Sequence, residues 1–589
     1  MISLDKMDPT KVWRILVVVR LLSVFLPQSG YLHPDEFFQT TEVVAGDVLD
    51  VQHHRTWEFT WENPIRTILL PYAAYGPVLF LLRLLNLATP CLVLVLPRLV
   101  ISIAGIIVDS CTFDLCRKYN SGYTSGYTSM LLYATSYVAW TYMTHTFSNS
   151  IETILFSILL VMTSGACSTM LKQRRGSQCS WCETALIAAI LTVGMFNRPT
   201  FLIFAFVPVT HWLWNAVASE RKFSDRINHF VSQLSIMSIV CVMISVVFVV
   251  VDTLYFRYES VRHIPKDLEN CVFSDKKIEC LRDMYTTYKR SIVISAYNFL
   301  VYNSDSSNLS HHGNHPFYFH TLVSLPLLFG PMVIFVLWRL LKNMLNVMLG
   351  GSLKVNSDFH LDDIYLVSCF AFPLVVFSCI SHQEPRFLLP LFPLGVVIAT
   401  KTMTSFKMKK LIFMKFCVVN LLGLLVFGFL HQGGIVPGIS HLQKKIASNK
   451  GDSHVVFYHT YMPPEHLFLH PEESESKLYI YDLGGASFEK LEKRMESIRV
   501  TAAGKGERSG IWIVAPKTVV ADVKKLSIKY GTVDKYWHLS MEDPPRMVEW
   551  FKRELSFSEI VGDFKLVVAE VKSWKLFKDG DQTKKKSSR

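Results

Sequence analysis

Apolar stretches of about twenty residues recur along this chain of 589 residues and constrain its fold more than any other feature. A stretch of about 20 apolar residues can cross the hydrocarbon core of a bilayer as one helix. Half of the residues are hydrophobic and 18% are charged, which excludes a disordered chain and a small disulfide-stapled protein. The sequence therefore predicts a polytopic α-helical membrane protein, with candidate spans at about 12–27, 66–86, 93–112, 122–140, 148–170, 182–196, 200–218, 232–252, 317–339, 360–381, 386–403 and 411–430.

The basic residues predict how the chain is oriented. The net charge is +12, and Lys and Arg gather in short loops between apolar runs, as at 172–175. Such loops face the cytosol under the positive-inside rule. Because 66–86 and 93–112 must then make one net crossing together, we expect about eleven transmembrane helices. Two long polar loops, about 28–65 and 253–316, are expected on the lumenal side, and no basic stripe with interleaved aromatics indicates a nucleic-acid partner.

The composition changes near residue 440. Residues 1–435 hold the candidate spans, whereas 440–589 mix polar and apolar runs. Four short runs predict strands at 455–459, 477–482, 510–515 and 564–571, and a helix is expected at 487–498. Some 150 residues suffice for one small domain. We therefore expect a C-terminal lumenal α/β domain.

The first long loop contains the run 33–39, His-Pro-Asp-Glu-Phe-Phe-Gln. Pro34 suits the first position of a helix, and apolar residues follow at helical spacing. This predicts an amphipathic helix lying on the membrane surface, with Asp35 and Glu36 in its first turn. The helix dipole favours acidic residues there whatever the function. The alternative is a general base held ionised at the membrane boundary.

Two arginines are expected on the lumenal side, against the positive-inside trend. Arg198 precedes a proline, and Arg386 closes the run 382–386, His-Gln-Glu-Pro-Arg. A guanidinium matches phosphate oxygens bidentately, so both are candidates for a lipid phosphate. The alternative is an ion pair with Glu384 or an anchor at the membrane interface. Glu152 and Asp252 lie at the lumenal ends of apolar segments, where each is either a helix-packing partner or part of a site.

The second long loop has three further features. His311, His312 and His315 have no matching carboxylate pattern, so hydrogen bonding to sugar or phosphate is favoured over a metal site. Cys271 and Cys280 share the loop and could form a disulfide if it is lumenal. Asn308 begins a glycosylation sequon close to the next membrane segment.

Six runs together resemble the dolichyl-phosphate-mannose-dependent α-mannosyltransferases of the endoplasmic reticulum, glycosyltransferase family 22 of the GT-C fold. Within this family, the runs 33–39, 42–47 and 538–545 are most similar to the branch that acts on GPI-anchor precursors. In chain order, the six runs are 33–39, 147–152 (Phe-Ser-Asn-Ser-Ile-Glu), 197–200 (Asn-Arg-Pro-Thr), 252–256 (Asp-Thr-Leu-Tyr-Phe), 312–316 (His-Gly-Asn-His-Pro) and 382–390 (His-Gln-Glu-Pro-Arg-Phe-Leu-Leu-Pro).

The resemblance implies a multi-pass protein of the endoplasmic reticulum membrane with a lumenal active site. The donor would be dolichyl phosphate mannose. The acceptor would be a GPI precursor bearing three mannoses, which gains a fourth in α1,2 linkage with inversion. The resemblance gives no firm case for a metal or another cofactor, and the remaining partners would be the lipids of the membrane.

Residue roles follow from the resemblance together with the chemistry above. Asp35 is the expected base, and Glu36 orients the sugar or serves as the fallback base. Arg386, with Arg198 second, is expected to hold the donor phosphate, assisted by His382 or His315 and with Glu384 beside them. The acceptor side is expected to be shaped by His33, Gln39, Asn149, Glu152, Asp252 and His312.

Three other functions compete. A mannosyltransferase of the same family would add α1,2-mannose to dolichol-linked oligosaccharide. A polytopic transporter would show inverted repeats and a midplane ion site, whereas here no repeat stands out and the polar residues gather at the lumenal ends. A non-catalytic assembly subunit would tolerate substitution of Asp35 and Arg386.

Overall fold

A computed structural model of the chain describes residues 8–26, 28–120, 122–166, 181–218, 222–272, 276–305, 307–308, 313–348, 361–404, 409–504, 509–526 and 528–574. The basic cluster at 172–175, His311 and His312 lie outside the described residues. Up to residue 447 the chain is helical, and its main helices are Pro9–Ser23, Glu42–Leu49, Leu69–Leu84, Pro90–Tyr119, Tyr123–Ala134, Ser148–Ser164, Trp181–Asn197, Phe201–Ala218, Phe223–Val261, Ile264–Val272, Lys277–Tyr288, Ser295–Ser304, Val333–Met348, Leu361–Ser378, Leu391–Thr404, Lys409–Leu425 and Ile435–Ala447.

Five of the described helices are long and apolar enough to cross a membrane, or six if the bent pair Tyr137–Thr144 and Ser148–Ser164 is one span. Four shorter apolar helices add candidates, among them Leu69–Leu84 and Trp181–Asn197. The five long helices are Pro90–Tyr119, Phe201–Ala218, Phe223–Val261, His320–Asn346 and Leu411–Leu430. The chain is therefore a membrane protein with several apolar helices, and the number eleven stays a prediction.

The C-terminal part contains one five-stranded sheet. Its strands are β1 (Ser453–Phe457), β2 (Leu478–Asp482), β3 (Gly510–Pro516), β4 (Ile528–Trp537) and β5 (Lys565–Trp574). The spatial order is β2-β1-β3-β5-β4; β1 is parallel to β2 and β3, and β5 is antiparallel to β3 and β4. The sequence does not predict β4, because Lys529, Gly531 and Asp534 interrupt it and as an edge strand it is only half buried.

The sheet shares an apolar core with the membrane helices. Ile435 and Ile439 of the helix Ile435–Ala447 lie in one cluster with Val455 of β1, Leu566 of β5 and Phe37 of the first loop. The expected helix on the membrane surface is therefore wrong. A π-helical turn, Phe37–Thr41, continues into Glu42–Leu49, and the segment is buried on its polar as well as its apolar side because the helix Leu69–Leu84 and the segment Glu465–Phe468 pack against it.

Polar contacts fasten the first loop to the C-terminal part. Glu42 is fully buried, and its Oε1 accepts hydrogen bonds from the backbone N–H groups of His54, Glu465 and His466 at 3.0–3.1 Å. Its Oε2 lies 2.5 Å from Nδ1 of His466. In the second loop, a disulfide joins Cys271 and Cys280. The Asn308 side chain donates to the carbonyl of Tyr302.

Candidate active site

The run 33–39 begins a helix, and its neighbouring acidic residues, Asp35 and Glu36, point in different directions. The backbone N–H of Asp35 donates to Nδ1 of His33, and those of Glu36 and Phe37 donate to the carbonyls of His33 and Pro34. This tight start directs Asp35 into an open cavity and leaves Glu36 in the interior. Two residues that are adjacent in sequence therefore have different environments.

The cavity has a volume of about 410 Å³ and is enclosed by both long loops, the turn at 382–387 and the C-terminal part, which contributes Met462. Its wall is rich in charge. The acidic, basic and histidine residues that line it are His33, Asp35, His54, Glu58, Arg66, Arg198, His382, Glu384 and Arg386. All of these except His54, Glu58 and Arg66 were predicted from the sequence. The predicted lumenal position that favours Arg198 and Arg386 applies equally to Arg66, the first residue of the candidate span 66–86.

Arg386 links the two parts of this wall. Its Nη1 donates to Oδ2 of Asp35 at 2.5 Å, and its Nε and Nη2 donate to the carboxylate of Glu384 at 2.5 and 2.9 Å. Burial is the largest effect on both carboxyl groups and opposes their ionisation, but Arg386 together with the neighbouring histidines outweighs it and lowers the pKa of Asp35 and of Glu384. Burial likewise disfavours the charged guanidinium, yet Asp35 and Glu384 raise the pKa of Arg386. Asp35 and Arg386 are 351 residues apart in the sequence.

The two oxygens of Asp35 differ in their contacts. Oδ2 accepts from Gln39 Nε2 and from Arg386, both at 2.5 Å. Oδ1 lies 3.4 Å from Nδ1 of His33, and the Asp35 side chain is 21% exposed. The carboxylate is therefore oriented from one side, with Oδ1 the oxygen that can receive a further donor.

Glu36 does not reach the cavity. It is fully buried, and its Oε1 accepts from Nε and Nη2 of Arg98 at 2.9 and 2.5 Å. Burial raises the pKa of Glu36 to about 7, although Arg98 opposes that shift. The expected role of Glu36 in orienting the sugar or as fallback base does not fit this placement. Its surroundings fit a structural ion pair inside the protein.

A second cavity of about 170 Å³ adjoins the first. Asn149 and Glu152 line it, and Arg198 lines both cavities. Glu152 Oε2 lies 3.6 Å from Nε of Arg198, and Asn149 Nδ2 donates to the same oxygen at 3.3 Å. Burial and the nearby charge of Arg66 lower the pKa of Arg198 to about 10, so it stays charged at neutral pH.

Gln39 connects the run 33–39 to the membrane helices. Its Oε1 accepts from Ser148 Oγ at 3.0 Å, and its Nε2 is 3.3 Å from Glu58 Oε1 as well as bound to Asp35. Ser148 also lies 3.3 Å from Nη1 of Arg198. One hydrogen-bonded chain therefore runs from Asp35 to Arg198.

Two other predicted residues, His315 and Asp252, lie nearby but do not line the cavity. His382 Nε2 contacts Glu384 Oε1 at 2.9 Å, and the His315 ring lies behind it with a ring separation of 6.3 Å. Asp252 is fully buried and accepts from Thr67, the backbone N–H of Ile68 and Ser295. Asp252 thus fixes the segment that follows Arg66 rather than contacting the cavity.

Among the residues that the structure describes, no group of three or more His, Cys, Asp or Glu side chains is arranged to hold a metal ion. A carboxylate with one accessible oxygen and several buried guanidinium groups in a single cavity suit proton removal beside a departing anion.

Sequence comparison places this helical membrane protein in the class of glycosyltransferases and gives its family. The model of the Alg9-like mannosyltransferase family matches residues 11–470, and the chain belongs to that family. The Homo sapiens GPI alpha-1,2-mannosyltransferase 4 is 30% identical over 568 residues, covering 92% of this chain and 91% of the human protein. The Drosophila melanogaster GPI mannosyltransferase 4 is 28% identical and covers 86% of this chain and 81% of its own.

Among solved structures, ArnT from Cupriavidus metallidurans in the apo state is similar with a TM-score of 0.46 at 12% identity. The match covers 96% of this chain and 98% of that chain.

Proposed function

We propose that this chain transfers mannose from dolichyl phosphate mannose, in α1,2 linkage, to the third mannose of a GPI-anchor precursor. The active site faces the lumen of the endoplasmic reticulum. One observation carries this function: Asp35 shares a cavity with Arg66, Arg198 and Arg386, so a base and cationic groups surround one reacting centre. The names of the relatives support the acceptor class, and that of the human protein supports the linkage.

The reaction is a single displacement. The 2-hydroxyl oxygen of the acceptor mannose attacks the anomeric carbon of the donor mannose, and Asp35 takes the hydroxyl proton. The bond between the anomeric carbon and the phosphate oxygen breaks, and dolichyl phosphate leaves with the electron pair. Attack from the face opposite the leaving group converts the β-linked donor into an α-linked product.

Asp35 suits the role of base in two respects. Its lowered pKa keeps it ionised at neutral pH, and its Oδ1 is the oxygen that can receive the acceptor hydroxyl. A positioned base contributes about 10²–10⁴-fold in rate. The arginines of the same cavity stabilise the charge that develops on the leaving phosphate.

Acceptor identity is tested with purified wild-type protein in lipid nanodiscs and labelled dolichyl phosphate mannose. Parallel reactions contain a three-mannose GPI precursor or a mannose-deficient dolichol-linked oligosaccharide, and the product is digested with an α1,2-specific mannosidase. We expect digestible label on the GPI lipid alone. Label on the oligosaccharide alone would overturn the acceptor, and label on neither from folded protein and active donor would overturn the transferase activity.

A further inference from the structure

We propose that Arg66 and Arg198 hold the phosphate of the lipid donor at the junction of the two cavities, and that Arg386 is a positioning residue for Asp35. This inference rests on the proposed function, because it names the subsite that a lipid-linked sugar phosphate would occupy. It differs from the sequence-based expectation, in which Arg386 comes first and Arg198 second as the residue that holds the phosphate.

All three nitrogens of the Arg386 guanidinium already donate to a carboxylate. Nε and Nη2 donate to Glu384, and Nη1 donates to Asp35, at 2.5–2.9 Å. A phosphate at this guanidinium would have to displace one carboxylate and then lie beside the other. Like charges at such separations repel strongly in a poorly solvated site.

Arg66 and Arg198 each retain an unused N–H in the described structure. Arg66 donates through Nε to Glu58 Oε1 at 3.0 Å, while its buried Nη1 has no hydrogen-bond acceptor among the described residues. Arg198 donates through Nη1 to Ser148 at 3.3 Å, while its buried Nε lies 3.6 Å from Glu152 Oε2 and makes no hydrogen bond within the described part of the chain. Their side chains are only 8% and 6% exposed. A buried donor without an acceptor is costly, and a bound phosphate oxygen would satisfy it.

The position of the two arginines matches the boundary of an amphipathic ligand. Phe299 lies under the guanidinium of Arg66 at 5.4 Å, and Phe387 lies under that of Arg198 at 5.5 Å. Both rings line both cavities. Beyond them the smaller cavity is bounded by Phe377 and Ile380, which suits the first units of an apolar chain. The larger, charged cavity on the other side suits the sugar.

The test compares Arg66→Gln, Arg198→Gln and Arg386→Gln with Arg499→Gln, a surface control that pairs with Glu496. The readouts are the donor KM, the acceptor KM and the inhibition constant of dolichyl phosphate, with dolichol as the uncharged probe. For Arg66→Gln and Arg198→Gln we expect the donor KM and the inhibition constant to rise about 10- to 100-fold, with acceptor KM and dolichol inhibition unchanged. Arg386→Gln should lower kcat and leave the donor KM within about threefold.

Unchanged donor KM in folded Arg66→Gln protein would overturn the assignment. A rise in acceptor KM alone would overturn it too and place a phosphate of the acceptor lipid there. If Arg66→Gln does not fold, Arg66→Lys, which keeps the charge but loses the planar fork, must still raise the donor KM.

Direct binding of dolichyl phosphate to wild-type protein separates the phosphate subsite from the proposed function. Binding that depends on Arg66, without transfer to the GPI lipid, would keep the phosphate subsite and reject the proposed function.

An independent observation concerns the surface of the C-terminal part. We also infer that this surface rests on the membrane through an interfacial patch of exposed apolar side chains. Seven large hydrophobic residues beyond Ser453 are exposed in the described structure, and six fall between 537 and 557. These six residues, which are close in the sequence, are the ones that we assign to the interfacial patch: Trp537, Met541, Met547, Val548, Phe551 and Phe557. A large exposed apolar patch marks a contact surface.

The position of the patch next to the end of a candidate membrane span indicates that it contacts lipid. Leu539 donates its backbone N–H to the carbonyl of Leu430 at 2.7 Å and accepts from Gln432, and Leu430 ends the candidate span Leu411–Leu430. Met541 is two residues away and 64% exposed, and Phe551 and Phe557 are 72% and 73% exposed. Aromatic and basic side chains typically anchor proteins at this level of a bilayer. Lys565 lies over the ring of Trp537, which suits lipid phosphates.

Full-length protein carrying a photoreactive amino acid at Phe551 or Phe557 tests this contact in phosphatidylcholine vesicles with a trace of clickable phosphatidylcholine. Val500 is the matched control, because it is 66% exposed and lies outside the patch, on the helix Phe488–Gly504 that comes before β3 in the chain. We expect lipid adducts at Phe551 and Phe557 at several times the yield at Val500. Equal yields, or adducts with a second protein copy in place of lipid, would overturn the contact.

Discussion

At the scale of single residues, Asp35 depends on Arg386 for its charge. Burial alone would raise the pKa of Asp35, and Arg386 is the main group that lowers it instead. A base works only when ionised, so we predict that Arg386→Gln moves the acidic limb of the kcat/KM profile to higher pH by about one unit or more. The profile of Arg499→Gln should match the wild type. An unmoved acidic limb would show that Arg386 does not control the base.

The buried pair of Glu36 and Arg98 makes a second prediction at this scale. Both side chains are at most 3% exposed and are 62 residues apart in sequence. Removing one partner leaves a charge buried without compensation, so Arg98→Met should lower the unfolding free energy by about 3–5 kcal/mol. The Glu36→Met, Arg98→Met double variant should recover part of that loss in thermal unfolding. Losses that simply add would argue against a coupled pair.

At the scale of elements, the contact between the helix Glu42–Leu49 and the segment Glu465–Phe468 should depend on pH. Burial, then the charge of Glu42, raises the pKa of Glu465 from 4.5 to about 7. Because its pKa is raised in the folded state, Glu465 loses its proton at a lower pH in the unfolded chain than in the folded one. The stability that protonated Glu465 contributes is therefore full below about pH 4.5 and is lost as the pH rises through about 7. Glu465→Gln should therefore raise the midpoint of thermal unfolding relative to wild type at pH 8 more than at pH 4.5. If the difference in unfolding midpoint between Glu465→Gln and wild type is the same at both pH values, the raised pKa is contradicted.

The helices and strands were predictable where the residue pattern is local. Apolar runs predict the order of the membrane helices, and β-branched runs predict β1, β2, β3 and β5. The environment of the run 33–39 was not predictable in the same way. Whether Glu36 faces the cavity depends on Arg98, and whether its helix is exposed depends on the helix Leu69–Leu84 and the segment Glu465–Phe468, which pack against it. Arg66 was missed because no pattern in the sequence shows that it lines the same cavity as Arg198.

At the scale of the whole molecule, the C-terminal part completes the active-site region instead of being appended to it. Phe37, two residues after Asp35, shares a core with Ile435, Val455 and Leu566. Truncation after Ser448 would expose this core and leave Glu42 without its partners. We predict that the truncated chain is degraded or inactive, measured as folded protein by size-exclusion chromatography and as mannose transfer. A folded, active truncated protein would contradict this coupling.

The central claim is that Asp35 removes the acceptor proton during mannose transfer. Single-turnover transfer of labelled mannose from dolichyl phosphate mannose to the three-mannose GPI precursor, by Asp35→Asn protein that folds and binds dolichyl phosphate, tests it most directly. Asp50→Asn is the matched control, because Asp50 is exposed and pairs with Arg83. We predict a loss of about 100-fold or more for Asp35→Asn and a wild-type rate for the control. Near-normal transfer by the Asp35→Asn protein would contradict the claim.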